Sequence, residues 1–420
     1  MDTVEWARVQ FGVTAGAHFL FVLVTLGLVT LLVAIEATWV ITKRPGALRA
    51  LRFWGTLYVT NYVVGIAGGI VMEFQFGLNW SGVSRVAGNV IGAPLAIETL
   101  VAFVLESTLL GLWIAGWHRI RPWAHLLLLC GVALTAYLSV FWIMVANAYL
   151  QNPVGHEIRP DGTAVLADPG PLLTNPALTL ALVHVAGAAL ACGGFLMAGI
   201  SAWHLLRHRT ADDRALAFRP TARLGLLTGL AGLYLSFNSG WAQLGPVGAV
   251  QPTKFGEEAE KLAAATGFAA RFGGQPADYL PPEWITIPYE VMQFTAFGLG
   301  IFVYLLPLLF RNWLLRWRWS LTLLVCAAPL PFVAAICGWL LREVGRAPFA
   351  IYGMLPAADA MTPRSPALAA ASCLLFAVLV IGLGVLNWTL LLRVAGRGSN
   401  DPPLGRLDDP AAEPATKVLV

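Results

Sequence analysis

Residues 92–117 read GAPLAIETLVAFVLESTLLGLWIAGW, and the only charges in that stretch are Glu98 and Glu106. A run of about 20 apolar residues is long enough to cross a bilayer as a helix. In lipid the backbone must satisfy its own hydrogen bonds, so a spanning segment of this kind is helical. Eight further runs lie at about 11–41, 54–79, 123–150, 178–205, 220–240, 287–310, 318–342 and 367–394. Of the 420 residues, 58% are hydrophobic and only 12% are charged, against about a quarter charged in a soluble domain. The fold class is therefore an all-α polytopic membrane protein with about nine transmembrane helices.

The runs divide the chain into helices one to six (1–240), a polar connection (241–286), helices seven to nine (287–396) and a Pro-rich tail (397–420) that reads as disordered. Two thirds of the 27 lysines and arginines fall in one alternating set of connections, among them Lys43, Arg44, Arg49 and Arg52. By the positive-inside rule that set is cytoplasmic. The N-terminus is then expected outside, the C-terminus in the cytoplasm and the 241–286 connection outside. The first run follows acidic rather than basic residues (Asp2, Glu5) and exceeds a signal-peptide core, so it reads as a retained helix. The five cysteines form neither CxxC nor CxxCH, which argues against covalent c-type haem, a zinc site and a disulfide framework. The net charge of +4 calls for no nucleic-acid partner, and no P-loop is present.

Ionisable groups inside a membrane are costly and mark functional sites by default. If the N-terminus is outside, His18, Glu98, His184 and Met292 each lie two turns or less into inward-running helices, and Glu343 lies at the outer end of helix eight. The topology thus places two histidines, a methionine and two carboxylates in one layer toward the outer face. His and Met are axial haem ligands, and a carboxylate can also bind iron. Glu106 lies about 12 Å further along its helix than Glu98, at 1.5 Å per residue. With Ser107 beside it and Ser139 at mid-depth on helix four, it reads as a proton relay. Blander readings stand beside these. A lone membrane histidine also serves as a helix–helix hydrogen-bond partner, and methionine as packing. Glu36 reads as snorkelling toward the inner interface, His125 as an interfacial anchor, His204 and His208 as solvated, and Glu343 as a partner for Arg342 or Arg346.

Several long motifs occur in order: ARVQFGVTAGAHFLFVLVTLGL, NYVVGIAGGIVMEFQFGLNWS, GAPLAIETLVAFVLESTLLGLW, VANAYLQNPVG, VQPTKF and CGWLLREVGRAPFAIYGMLPAADA. Together they resemble subunit I of the cytochrome bd-type quinol oxidases over about residues 5–395. The resemblance implies a respiratory terminal oxidase of the bacterial cytoplasmic membrane, one that oxidises quinol and reduces O2 to water without copper. It also implies two haem b groups and one haem d (or a third haem b), a homologous subunit II and small single-helix subunits. Carried over by motif, His184 and Met292 match the ligands of the low-spin haem. His18, Glu98 and Glu343 match the ligands of the oxygen-reactive pair, with Arg346 beside Glu343. Trp339 matches a tryptophan between haems. Glu106, Ser107 and Ser139 match a proton path from the cytoplasm. The 241–286 connection matches the quinol loop, with Lys254 as its lysine and Glu257 and Glu258 as nearby carboxylates.

The chain departs from the family pattern in three places. Glu290 stands where members commonly have Arg, GRAPF (345–349) replaces GRQPW, and Ala259 occupies a position where the loop usually carries Glu. These departures keep open a bd-like oxidase with a different electron donor. A proton-coupled transporter would also place carboxylates and histidines in helices, but it would not need a His/Met pair at matched depth.

Overall fold

The computed structural model describes residues 2–207, 213–310, 313–397 and 404–405. Nine long helical segments carry the fold among them. They are α1 (Thr3–Thr42), α2 (Pro45–Leu78), α3 (Ser81–Ala115), α4 (Pro122–Gln151), α5 (Thr179–Arg207), α6 (Asp213–Ala242), α7 (Thr286–Gly300, prolonged by a 3-10 stretch and a short helix to Phe310), α8 (Arg318–Val344) and α9 (Pro366–Arg397). Eight of them are long and apolar enough to span a membrane; α6, with Arg214, Arg219 and Arg223 in its first turns, falls short on apolarity.

Local chemistry explains the boundaries. Asp2 and Glu5 form a capping box at the start of α1, and Lys43 ends that helix in the left-handed conformation, φ 54°. Prolines open α2 and α4 at positions where no intrahelical N–H is needed. α3 has Pro94 inside it and is wound as a π-helix from Leu100 to Glu106. α8 is interrupted at Pro329 between two α-helical pieces, Arg318–Ala327 and Leu330–Val344.

α1 runs through the centre, with Leu23, Val24, Leu28, Val29 and Leu32 fully buried, and packs on α2, α4, α5 and α9. Two close crossings depend on glycine. A Cβ at Gly27 would fall 2.3 Å from the Ala189 carbonyl, and one at Gly194 would fall 2.3 Å from the Gly229 amide. Small residues let membrane helices approach and gain dispersion contact in this way.

The 241–286 connection is polar but largely helical: Leu244–Val250, Pro252–Phe255 and Glu258–Phe272 are α-helices. Two hairpins accompany it, β1 (His156–Ile158) with β2 (Ala164–Leu166) and β3 (Phe349–Ile351) with β4 (Leu355–Pro356), both antiparallel. Phe268, Tyr279, Phe349 and Tyr352 form an aromatic cluster, with Phe268 and Phe349 centroids 4.8 Å apart, and it ties the connection to β3. Tyr352 in turn donates its amide to the Leu150 carbonyl at the end of α4, 3.0 Å away, and exchanges a 2.8 Å hydroxyl contact with Thr253.

Three expectations change. Glu36 does not snorkel and His125 is not an interfacial anchor: both are buried and meet at 2.5 Å (Glu36 Oε1 to His125 Nδ1), while Trp113 Nε1 donates to Glu36 Oε2 at 3.0 Å. A buried carboxylate requires such partners, which here come from two other helices, α3 and α4. His204 is buried, stacks on Phe218 at 4.1 Å and reaches the Ala395 carbonyl at 2.8 Å. His208 and most of the tail, 398–403 and 406–420, lie outside the described residues.

Candidate functional site

One cavity of about 680 Å³ runs among α1–α8. His18, Glu98, His184, Met292 and Glu343 all line it, as do Glu106, Ser139, Trp339 and Lys254. Residues from six helices and the connection thus converge on one apolar space, the usual form of a cofactor site.

His184 has the geometry of a ligand. Its Nδ1 sits 2.7 Å from the Ser236 carbonyl on α6. Such a bond fixes the tautomer with the proton on Nδ1 and leaves Nε2 as the basic nitrogen. Gly240, one turn further along α6, makes room for the ring: a Cβ there would lie 2.9 Å from the imidazole. Gly338 on α8 does the same for Met292, whose sulfur would be 2.8 Å from a Cβ. His18 packs on α2 at Gly68 and Gly69, where added Cβ atoms would come within 3.4 and 3.2 Å of its ring. An imidazole held by one nitrogen, a thioether, a second imidazole and glycine-thinned helix faces around an apolar cavity fit the donor set of haem iron.

The carboxylates differ in their partners. Glu98 is half-buried and accepts a 3.0 Å bond from the Ser139 hydroxyl, so Ser139 serves Glu98 rather than Glu106. Glu343 Oε2 accepts from Arg346 at 2.6 Å. Its Oε1 accepts from Asn147 at 2.8 Å and Gln151 at 3.4 Å. Of the two arginines considered, Arg346 is the ion-pair partner. Arg342 instead donates to Asn147 Oδ1 at 2.6 Å and to the Ala177 carbonyl at 3.0 Å. Glu106 is buried, and its Oε1 has no hydrogen-bond partner. Ser107 contacts the Tyr62 hydroxyl at 3.2 Å. Trp339 packs beside Phe11, with ring centroids 6.4 Å apart, and against Gly16.

On the connection, Lys254 Nζ donates to the Arg342 carbonyl at 3.2 Å. Burial, reinforced by the Arg342 guanidinium and opposed by Glu343, pushes the Lys254 ammonium down to about 7. Glu257 and Glu258 are exposed. Glu257 caps the Glu258–Phe272 helix, and Glu258 lies 3.9 Å from Lys261. Neither lines the cavity. Glu290 is exposed on α7. Sequence reading missed Asn147 and Gln151 as the partners of Glu343, and Asn147 as the partner of Arg342. The motif VANAYLQ carries two of those residues at i and i+4, one helical face, and was the available signal.

Comparison with known proteins places these features in context. The family model for cytochrome bd terminal oxidase subunit I matches residues 6–277 and 274–399. Cytochrome bd ubiquinol oxidase subunit 1 of Bacillus subtilis (strain 168) is 34% identical, over 95% of this chain and 95% of that protein. Cytochrome bd-II ubiquinol oxidase subunit 1 of Escherichia coli (strain K12) is 37% identical, over 71% of this chain and 56% of its own length. The solved structure of bd oxidase from Geobacillus thermodenitrificans is similar in fold, with a TM-score of 0.79 at 26% identity, covering 94% of this chain and 99% of that one.

Proposed function

The chain belongs to the cytochrome bd terminal oxidase subunit I family, and from that premise we propose that it oxidises quinol at the outer membrane face and reduces O2 to water with cytoplasmic protons. Its reaction class is quinol:oxygen oxidoreductase. The observation that carries the finer reading is the convergence of His18, Glu98, His184, Met292 and Glu343 on one cavity, with Glu106 on the same wall.

His184 and Met292 hold the low-spin haem b, one from α5 and one from α7. His18, Glu98 and Glu343 hold a second haem b and a haem d (or a third haem b). Haem bound there supplies the iron that carries electrons from quinol to O2. Arg346, at 2.6 Å, balances the charge of Glu343, and Ser139 orients Glu98. Trp339 fills the space beside the His18 wall. Glu106 holds a proton at mid-membrane for delivery to the oxygen site. Lys254 faces the cavity from the connection, where its amine receives the quinol hydroxyl. Protons leave quinol outside and are consumed from inside, so charge is separated without a pump. As a subunit I, the chain works with a subunit II and accepts small single-helix subunits in a bacterial cytoplasmic membrane.

The test is a reduced-minus-oxidised visible spectrum of the purified complex, with quinol-driven O2 uptake on the same sample. Haem bands with uptake are expected. Haem bands without uptake would favour the second reading, a different electron donor, which the exposed Glu290 and the outward-facing Glu257 and Glu258 support. Absence of haem would overturn the oxidase reading for this chain.

A further inference from the structure

Glu106 needs a proton supply, and two tyrosines of α2 stand next to it without an assigned role. Tyr58 and Tyr62 lie one helical turn apart, with ring centroids 5.9 Å from each other, and both are buried. Phenylalanine would pack as well at such positions, and a buried phenol is costly unless its hydroxyl is bonded. Tyr137 illustrates the ordinary solution: its hydroxyl is paired with Thr30 at 3.0 Å. The α2 pair is different. Tyr62 reaches the Ser107 hydroxyl at 3.2 Å, directly beside Glu106. Tyr58 has a buried hydroxyl with no hydrogen-bond partner, and so has Glu106 at Oε1. Tyr62 and Glu106 line the same cavity, and Tyr58 lies against Tyr62 on the side away from the α2 C-terminus. Two orphaned buried polar atoms next to hydroxyls make the kind of polar site that takes a bridging water.

We propose that Tyr58 and Tyr62 form the hydroxyl relay that refills Glu106. The proposal rests on the reading of Glu106 as the proton donor of an oxidase. When Glu106 gives its proton toward the cavity, its carboxylate takes one from Tyr62 through the bridging water. Tyr62, oriented by Ser107, takes one in turn from Tyr58 through a second water, because the Tyr58 hydroxyl has no direct partner, and Tyr58 takes one from a hydronium ion that enters from the inner side. Every oxygen gains one proton and loses one, and no electrons move. The tyrosines are positioning residues that act through Glu106.

The experiment uses the complete complex with subunit II, carrying Tyr58→Phe, Tyr62→Phe, and each of these combined with Glu106→Gln. Haem content and visible spectrum report assembly. Infrared difference spectroscopy reports the Glu106 carboxyl stretch, identified by its loss in Glu106→Gln. Each phenylalanine variant is expected to shift that band, to raise the solvent deuterium isotope effect and to slow turnover on the order of tenfold. In the Glu106→Gln background the same changes should cost nothing more, because residues on one path are not additive. An unmoved carboxyl band and an unchanged isotope effect would overturn the relay, as would losses that multiply with Glu106→Gln. If the unsubstituted complex shows no quinol-driven uptake, the oxidase reading fails. The carboxyl band, read without turnover, still decides whether the hydroxyls contact Glu106.

Discussion

Met292 and His184 approach the cavity from different helices, and substitution separates ligation from packing. Leucine in place of Met292 nearly conserves volume, a change that costs under about 1.5 kcal/mol in a core. Met292→Leu is therefore expected to leave an assembled complex with its high-spin spectrum intact and its low-spin haem b signal lost. An unchanged spectrum would make Met292 a packing residue. Glu106→Gln removes a proton carrier without removing shape, so haem content should stay normal while O2 reduction slows by on the order of a hundredfold. Lys254 gives a pH dependence. Its folded value, about 7, lies below the 10.5 of an ordinary lysine. Burying the ammonium thus carries a cost that is present in full below pH 7 and relieved as pH rises toward 10.5. Above pH 7 the amine is neutral, and in the proposed role it then accepts the quinol proton, so kcat/KM for quinol should rise with an inflection near pH 7. Lys254→Met should flatten that inflection. That His18, Glu98, His184, Met292 and Glu343 gather in one place, now seen as the lining of one cavity, was legible in the sequence because polar or soft residues stand out in lipid-facing runs. The Glu36–His125 pair was not: its partners lie 89 positions apart, and nothing local in either helix announces the other.

At the scale of elements, apolar runs fell on all nine long helices, since a spanning helix has no alternative way to satisfy its backbone, although α6 is too polar to stand among the eight spanning candidates. It did not foresee the π-helical stretch Leu100–Glu106, which begins two residues after Glu98 and ends at Glu106. Pro94 was the only sequence hint, and π-bulges frequently accompany functional sites. Nor did polarity foresee the helices within 241–286, because a short helix capped by its own side chains, as Glu257 caps Glu258–Phe272, needs no apolar run. The helix crossings offer a direct test. With Gly194 against the backbone of Gly229, a β-branched side chain has no space. Gly194→Val should force α5 and α6 apart at a cost of about 1–3 kcal/mol, lowering the thermal midpoint of the detergent-solubilised complex. It should also weaken the His184 signal, because Ser236 and Gly240 on α6 shape that ligand. Gly111→Val on α3, where a Cβ meets nothing within 4 Å, is the control and should leave both unchanged.

Across the whole molecule, the direction of insertion decides what the reaction accomplishes. The proposed orientation has α6 cross together with the eight helices that are long and apolar enough to span, so that the two termini fall on opposite sides and the excess of Lys and Arg shares a side with the C-terminus. Lys254 and the aromatic cluster around Phe268 then face outward, while Tyr58 lies inward of Tyr62 on α2. In this orientation a proton released at Lys254 leaves to the outside and a proton drawn toward Glu106 comes from the cytoplasm. Inverting the chain would leave the chemistry intact but reverse the field it generates. Two reporters fused after Arg397 distinguish the cases: a fluorescent protein that matures only in the cytoplasm should be bright, and an alkaline phosphatase active only outside should be silent. The same phosphatase inserted at Gly274 in the connection, where the backbone turns with φ 79°, should be active. In vesicles of known orientation, quinol oxidation should then acidify the side that bears Lys254. Acidification of the opposite side, or a phosphatase active at the C-terminus, would reverse the assignment and with it the direction of the Glu106 proton path.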